Sequence, residues 1–219
     1  MSNSVQAVIW DLDGVIIDSA EEHRQAWKRL AQEEGLPFSD ADFWATFGKR
    51  DDDIITILWG QQSPERVREL ADRKEAYFRD LIRKTAAPLP GAVELLRGLH
   101  AAGFLQALAS SAPVANIQLI SEVLGLRQYL TALVSGETVA HGKPAPDIFL
   151  KAAGELGVSP ARCVVIEDAV AGVQAAHAAG MRCIAVAGDR DLPGLREAEL
   201  MVRSLVEVDV ERVCSLGVA

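Results

Sequence analysis

No stretch of about twenty consecutive apolar residues occurs in the sequence, so it offers no helix able to span a bilayer. The opening Met1-Ser2-Asn3-Ser4 has neither a basic region nor an apolar one behind it, and no secretory leader is expected. Cysteine is scarce: Cys163, Cys183 and Cys214 are odd in number, far apart and without a Cys-x-x-Cys pair. That excludes a disulfide framework and a zinc ribbon. Cys163 and Cys183 lie in apolar runs and read as small core residues; a reducing, cytoplasmic setting is expected. Positive charge is in deficit, with 22 Lys+Arg against 31 Asp+Glu and a net charge of −9. A nucleic acid is therefore not the expected partner, because gripping a phosphate backbone takes clustered Lys and Arg. A small anion is not excluded, since one pocket can differ in sign from the whole surface. Internal repeats and low-complexity tracts are also missing.

What is present is a 219-residue chain, 49% hydrophobic and 24% charged. That is the balance of a soluble globular protein able to bury a core unaided. Five short apolar runs end in polar residues: Val5–Trp10 before Asp11, Phe104–Ala109 before Ser110-Ser111, Leu130–Val134 before Ser135, Cys163–Ile166 before Glu167-Asp168, and Met181–Ala187 before Gly188-Asp189. Largely apolar runs of this length suit strands covered on both faces. Between them lie segments of helical spacing: Ala92–Ala102, Val114–Leu124, Ile148–Leu156 and Val170–Ala179. Strand and helix in alternation predict an α/β fold with a doubly wound parallel sheet.

One stretch breaks the alternation. Residues 18–85 show no strand pattern, but Ala26, Trp27, Leu30 and Ala31, then Ile54, Ile55 and Leu58, then Val67 through Leu81 mark three amphipathic helices. A helical module is thus expected inside a discontinuous α/β domain of residues 1–17 and 86–219. Trp27, Trp44 and Trp59 are read as aromatic core of the module, Trp10 as a packing residue just past the first strand, and Asp51-Asp52-Asp53 as a helix N-terminus, where carboxylates are favoured.

Ligands of open α/β sheets bind at the carboxyl ends of the strands. The polar residues collected there are Asp11, Asp13, Ser110, Lys143, Glu167 and Asp168. Any one of them reads as a turn residue or helix cap. Together they make a carboxylate cluster that needs a cation, and oxygen donors of this kind suit Mg²⁺.

These residues resemble the motifs of the haloacid dehalogenase superfamily. Asp11-Leu12-Asp13-Gly14-Val15 looks like its first motif, Ser110 its hydroxyl motif, Lys143 in Gly-Lys-Pro-Ala-Pro-Asp its lysine motif, and Glu167-Asp168 its acidic motif. All four occur in the family's order. The resemblance implies a Rossmann-like core with an inserted helical cap that closes over substrate. It also implies Asp11 as the nucleophile, Asp13 as general acid/base, and phosphate held by Ser110, Ser111 and Lys143. Mg²⁺ would be held by Asp11, Asp13 through its backbone carbonyl, and Asp168, with Glu167 in or beside that shell. The second Asp argues against the dehalogenase branch.

Asp18 to Trp27 is similar to the β-phosphoglucomutase branch, in which a His at the position of His23 helps control the acid/base Asp. Arg73-Lys74 is similar to that branch as well, and there Lys74 would touch substrate. Read without the resemblance, His23 is a helix-surface residue and Lys74 a solvated charge. The mutases also carry an Arg three residues after the cap-loop glycine to grip a second phosphate. Counted from Gly48, that place holds Asp51, while Lys49 and Arg50 directly follow the glycine. They supply a cation from another turn or are solvated charges. The missing guanidinium favours a phosphatase of small phosphomonoesters, sugar phosphates included, over a phosphomutase. A non-catalytic phosphoacceptor, like a response-regulator receiver, is a third, more distant reading. The expected partner is a small phosphorylated metabolite, with no membrane, for a monomer or weak homo-oligomer.

Overall fold

The computed structural model describes residues 4–217. The chain forms two compact units: one from the described residues up to Asp18 and from Ala87 onward, the other Ser19–Ala86. The first unit opens with strand β1 (Ala7–Trp10). The second holds helices α1 (Ala20–Glu34), α2 (Asp40–Thr46), α3 (Asp51–Trp59) and α4 (Pro64–Thr85). The first unit then resumes with α5 (Ala92–Ala101), β2 (Leu105–Ser110), α6 (Val114–Val123), β3 (Ala132–Ser135), α7 (Asp147–Leu156), β4 (Cys163–Glu167), α8 (Val170–Ala178), β5 (Arg182–Val186), β6 (Leu200–Val202) and α9 (Val210–Ser215).

The six strands make one all-parallel sheet in the order β3-β2-β1-β4-β5-β6. Helices follow β1 to β4 in alternation, so the inner strands are covered on both faces and every residue of β1 and β4 is buried. Ile9, Ala107, Val165, Cys183 and Phe149 belong to one continuous core. Chain order reverses about β1, which pairs with β2 on one side and β4 on the other. That reversal opens a crevice at the carboxyl ends of these strands. Trp10 aligns with Leu108 and Ile166, so β1 and β4 deliver Asp11 and Glu167 to the same edge of the sheet.

Trp10 lies inside β1 rather than past it. Its ring is fully buried and donates to Gln106 Oε1 at 3.0 Å, and the Gln106 amide donates onward to the Leu96 carbonyl at 3.0 Å. A buried glutamine in a central strand is thereby satisfied on both ends. Strand β6 is an addition to the five expected. Its three residues are too few, and too exposed at the sheet edge, to stand out as an apolar run.

In the helical unit Trp27, Leu30, Phe43, Ile54, Ile55 and Leu70 form the core. Trp59 packs edge-on against Trp27 at 5.7 Å and donates to the Pro37 carbonyl. Trp44 departs from its expected place in the core and is 62% exposed. It sits on α2, a helix the sequence pattern did not reveal, because seven residues are too few for a stripe. That helix is defined by its start. Ser39 Oγ accepts from the Asp42 amide while the Asp42 carboxylate accepts from the Ser39 amide. Asp51, Asp52 and Asp53 fill the first turn of α3.

Candidate active site

Asp11 is the first residue beyond β1. Its amide donates to the Ile166 carbonyl of β4 at 2.9 Å, which extends the ladder by one step and fixes the start of its side chain. Lys143 Nζ lies 2.5 Å from Asp11 Oδ1 and 2.5 Å from Glu167 Oε1, joining the ends of β1 and β4 through one ammonium. The other Glu167 oxygen accepts the amides of Asp168 and Ala169, each at 2.7 Å. Glu167 thus turns the chain out of β4 towards α8. Asp168 pairs with Arg190 Nη2 at 2.9 Å.

Two glycines make room for these carboxylates. A Cβ on Gly14, which has φ +80, would stand 2.1 Å from Asp168 Oδ2. A Cβ on Gly172 would stand 1.9 Å from the Glu167 carboxyl carbon. Both are closer than atoms can approach, so the carboxylates occupy space that only glycine leaves.

Asp11, Glu167 and Asp168 each offer an oxygen, all within 4.8 Å of one another. The Asp13 side chain is outside this trio. It is half-buried in the turn after β1, which the Gly14 amide closes on the Ile17 carbonyl at 2.7 Å. Ser110 ends β2 beside β1, buried, and its Oγ accepts the Ala112 amide at 3.1 Å. Ser111 follows, exposed, with its backbone against Gly136.

Burial pushes the Asp11 carboxyl well above the usual carboxylate range; Lys143 opposes this, and Glu167, Asp168 and Asp13 add to it. Asp168 is pushed up to about 7 by burial and Glu167, against the pull of Arg190 and Lys143. Burial works to lower the Lys143 ammonium, but Asp11 and Glu167 outweigh it and hold the group above its ordinary value. The carboxylates are in excess, and two monovalent cations leave them strained in charge. An oxygen-only donor set short of positive charge fits a hard divalent cation.

The residues expected from the helical module divide. Lys49 and Arg50 are exposed in the turn before α3. Lys74 is 2% exposed rather than solvated. Its Nζ lies 2.6 Å from Glu75 Oε1, 2.9 Å from His23 Nδ1 and 3.2 Å from Asp51 Oδ1. His23 stacks on Phe78 with centroids 3.9 Å apart. Burial, then the Lys74 charge, lowers its imidazole to about 3, so the ring is neutral at pH 7. Glu75 and Arg190 were not singled out in the sequence. Glu75 looks like one more charge on a charged helix, and Arg190 like a turn residue in Gly188-Asp189-Arg190-Asp191.

The family model for a haloacid dehalogenase-like hydrolase matches residues 5–180, more than three quarters of the chain. The chain belongs to the haloacid dehalogenase-like hydrolase family. It is an enzyme, which sets the non-catalytic phosphoacceptor reading aside. Among the family's members, the β-phosphoglucomutase of Bacillus subtilis (strain 168) is 38% identical over 215 residues, covering 94% of this chain and 93% of that protein. A fructose-1-phosphate phosphatase of Escherichia coli (strain K12) is 35% identical over 180 residues, covering 82% and 95%. A haloacid dehalogenase family hydrolase structure from Entamoeba histolytica superposes with a TM-score of 0.88 at 27% identity, over 97% of this chain and 99% of that one. The fold class read from the motifs, a Rossmann-like haloacid dehalogenase core, is the observed one.

Proposed function

We propose that this hydrolase is a Mg²⁺-dependent phosphatase of small phosphomonoesters, including sugar phosphates, acting through an aspartyl phosphate on Asp11. The observation that carries the reading is the buried Asp11–Lys143–Glu167 chain with Asp168 beside it, at the reversal point of the sheet. Asp11, Glu167 and Asp168, with the backbone carbonyl of Asp13, would hold the ion, which supplies positive charge to the phosphoryl oxygens. The remaining work falls to the chain. Lys143 holds Asp11 by one oxygen and offsets its charge as the phosphoryl group approaches. A carboxylate oxygen of Asp11 forms the bond to phosphorus as the ester oxygen leaves with a proton from Asp13. Asp13 then takes a proton from water, whose oxygen bonds to phosphorus as the Asp11 carboxylate departs. Ser110 and the Ser111 amide donate to phosphoryl oxygens.

The mutase is the second reading, favoured by the 38% identity to the Bacillus β-phosphoglucomutase. Against it stands Asp51, at the position where the resemblance to the mutases calls for an Arg. Its carboxyl is 3.2 Å from Lys74, so this position offers no guanidinium to grip a second phosphate.

A panel of phosphometabolites assayed for phosphate release, with Mg²⁺ and with EDTA, tests the first reading. Release that requires Mg²⁺ and is lost in Asp11→Asn is expected. Conversion of β-glucose 1-phosphate to glucose 6-phosphate with a bisphosphate primer, without matching free phosphate, would overturn it in favour of the mutase.

A further inference from the structure

Arg190 has no part in the motifs described above, yet it reaches the candidate metal site. Its Nη2 lies 2.9 Å from Asp168 Oδ2. The same side chain is tied at its base: Nε donates to the Ala187 carbonyl and Nη2 to the Val186 carbonyl, each at 3.2 Å. The Arg190 amide also donates to the Ala187 carbonyl at 3.1 Å. The guanidinium is thus anchored to the end of β5, the strand next to β4, where Glu167 aligns with Ala185. Gly14 leaves room for Asp168 Oδ2, since a Cβ there would lie 2.1 Å away. Asp168 Oδ2 is therefore held by the anchored guanidinium in space that a side chain at residue 14 would fill.

We propose that Arg190 is a positioning residue that clamps Asp168 Oδ2 and so presets the divalent-cation site. This rests on the metal reading of the Asp11–Glu167–Asp168 cluster. A cation that served only to balance charge would need no tether to the β5 carbonyls. A tethered guanidinium holds one oxygen of the carboxylate at a set angle and leaves the other to ligate. Partners that orient a ligating carboxylate are worth roughly 10–100-fold in metal affinity.

The direction of the effect is diagnostic. By charge alone, deleting a cation near a divalent site should tighten binding. By positioning, it should loosen binding. Mn²⁺ is the probe, titrated into the full chain and followed by electron paramagnetic resonance of the free ion, with no substrate and no turnover. Arg190→Ala is expected to raise the Mn²⁺ Kd about tenfold, and Arg190→Lys, which keeps the charge but not the tethered guanidinium, to give an intermediate value. The thermal midpoint in EDTA reports whether each variant folds. Should Arg190→Ala fail to fold, a raised Kd in Arg190→Lys carries the same conclusion. Unchanged or tighter binding in the folded variants overturns the clamp while leaving the metal site standing. Absence of Mn²⁺ binding in the unsubstituted protein, at concentrations where Asp168→Asn also binds none, overturns both.

Discussion

At the scale of single residues, the fate of a charge depends on what faces it. Glu75 and Asp51 flank the same buried ammonium, yet their carboxyls move in opposite directions. Burial works to raise Glu75, but Lys74 and then His23 more than offset it and lower the group from 4.5 to about 2. Asp51 is pushed from 3.8 up to about 7, chiefly by burial. The folded value of Glu75 is depressed, so as pH falls below about 4.5 the unfolded chain takes up the proton first. The stabilisation from Glu75 is complete above that pH and is lost progressively down to about 2. Glu75→Gln should therefore be less stable than the unsubstituted protein at pH 7, and the gap should narrow below pH 4.5. Urea unfolding across this range checks it, and a constant gap would contradict the pairing. None of this was legible in the sequence, since Asp51, Lys74 and His23 come from three helices. Asp11, Lys143, Glu167 and Asp168 were legible because each stands in a recognisable motif at or after the end of a strand.

At the scale of elements, what shows in the sequence is length and period. The inner strands and most of the long helices declare themselves by buried stripes. Helix α2 declares itself only by its capping box, and β6 only by pairing with β5 through Ile184 and Leu200. The box makes α2 a test of local determination. Ser39→Ala removes the acceptor for the Asp42 amide and should cost about 1 kcal/mol. The loss should be seen in the unfolding of the helical unit by circular dichroism, with Ser39→Asp retaining most of the stability. Equal stability of Ser39→Ala would mean that the packing of Phe43 alone holds the helix.

At the scale of the whole molecule, the net charge of −9 takes on a specific meaning. Acidic groups are gathered at the carboxyl edge of the sheet, and Lys143 and Arg190 balance them only in part. A divalent cation bound there stabilises the folded state by mass action, by about 2.7 kcal/mol at a hundred times its Kd. Saturating Mg²⁺ should raise the thermal midpoint by several degrees, EDTA should reverse the rise, and Asp168→Asn should abolish it. A midpoint indifferent to Mg²⁺ in the unsubstituted protein would exclude a tight site.

By itself the sequence determined the alternation of strand and helix, the helical interruption and the identity of the acidic, hydroxyl and lysine residues at the strand ends. Those features rest on local periodicity and on motifs a few residues long. Only the tertiary structure decided that Lys143 bridges Asp11 and Glu167, that Arg190 holds Asp168, and that Lys74 is buried among His23, Asp51 and Glu75. Each of these joins segments far apart in the chain, and the partner of a charge is set by which strand and helix ends the fold brings together.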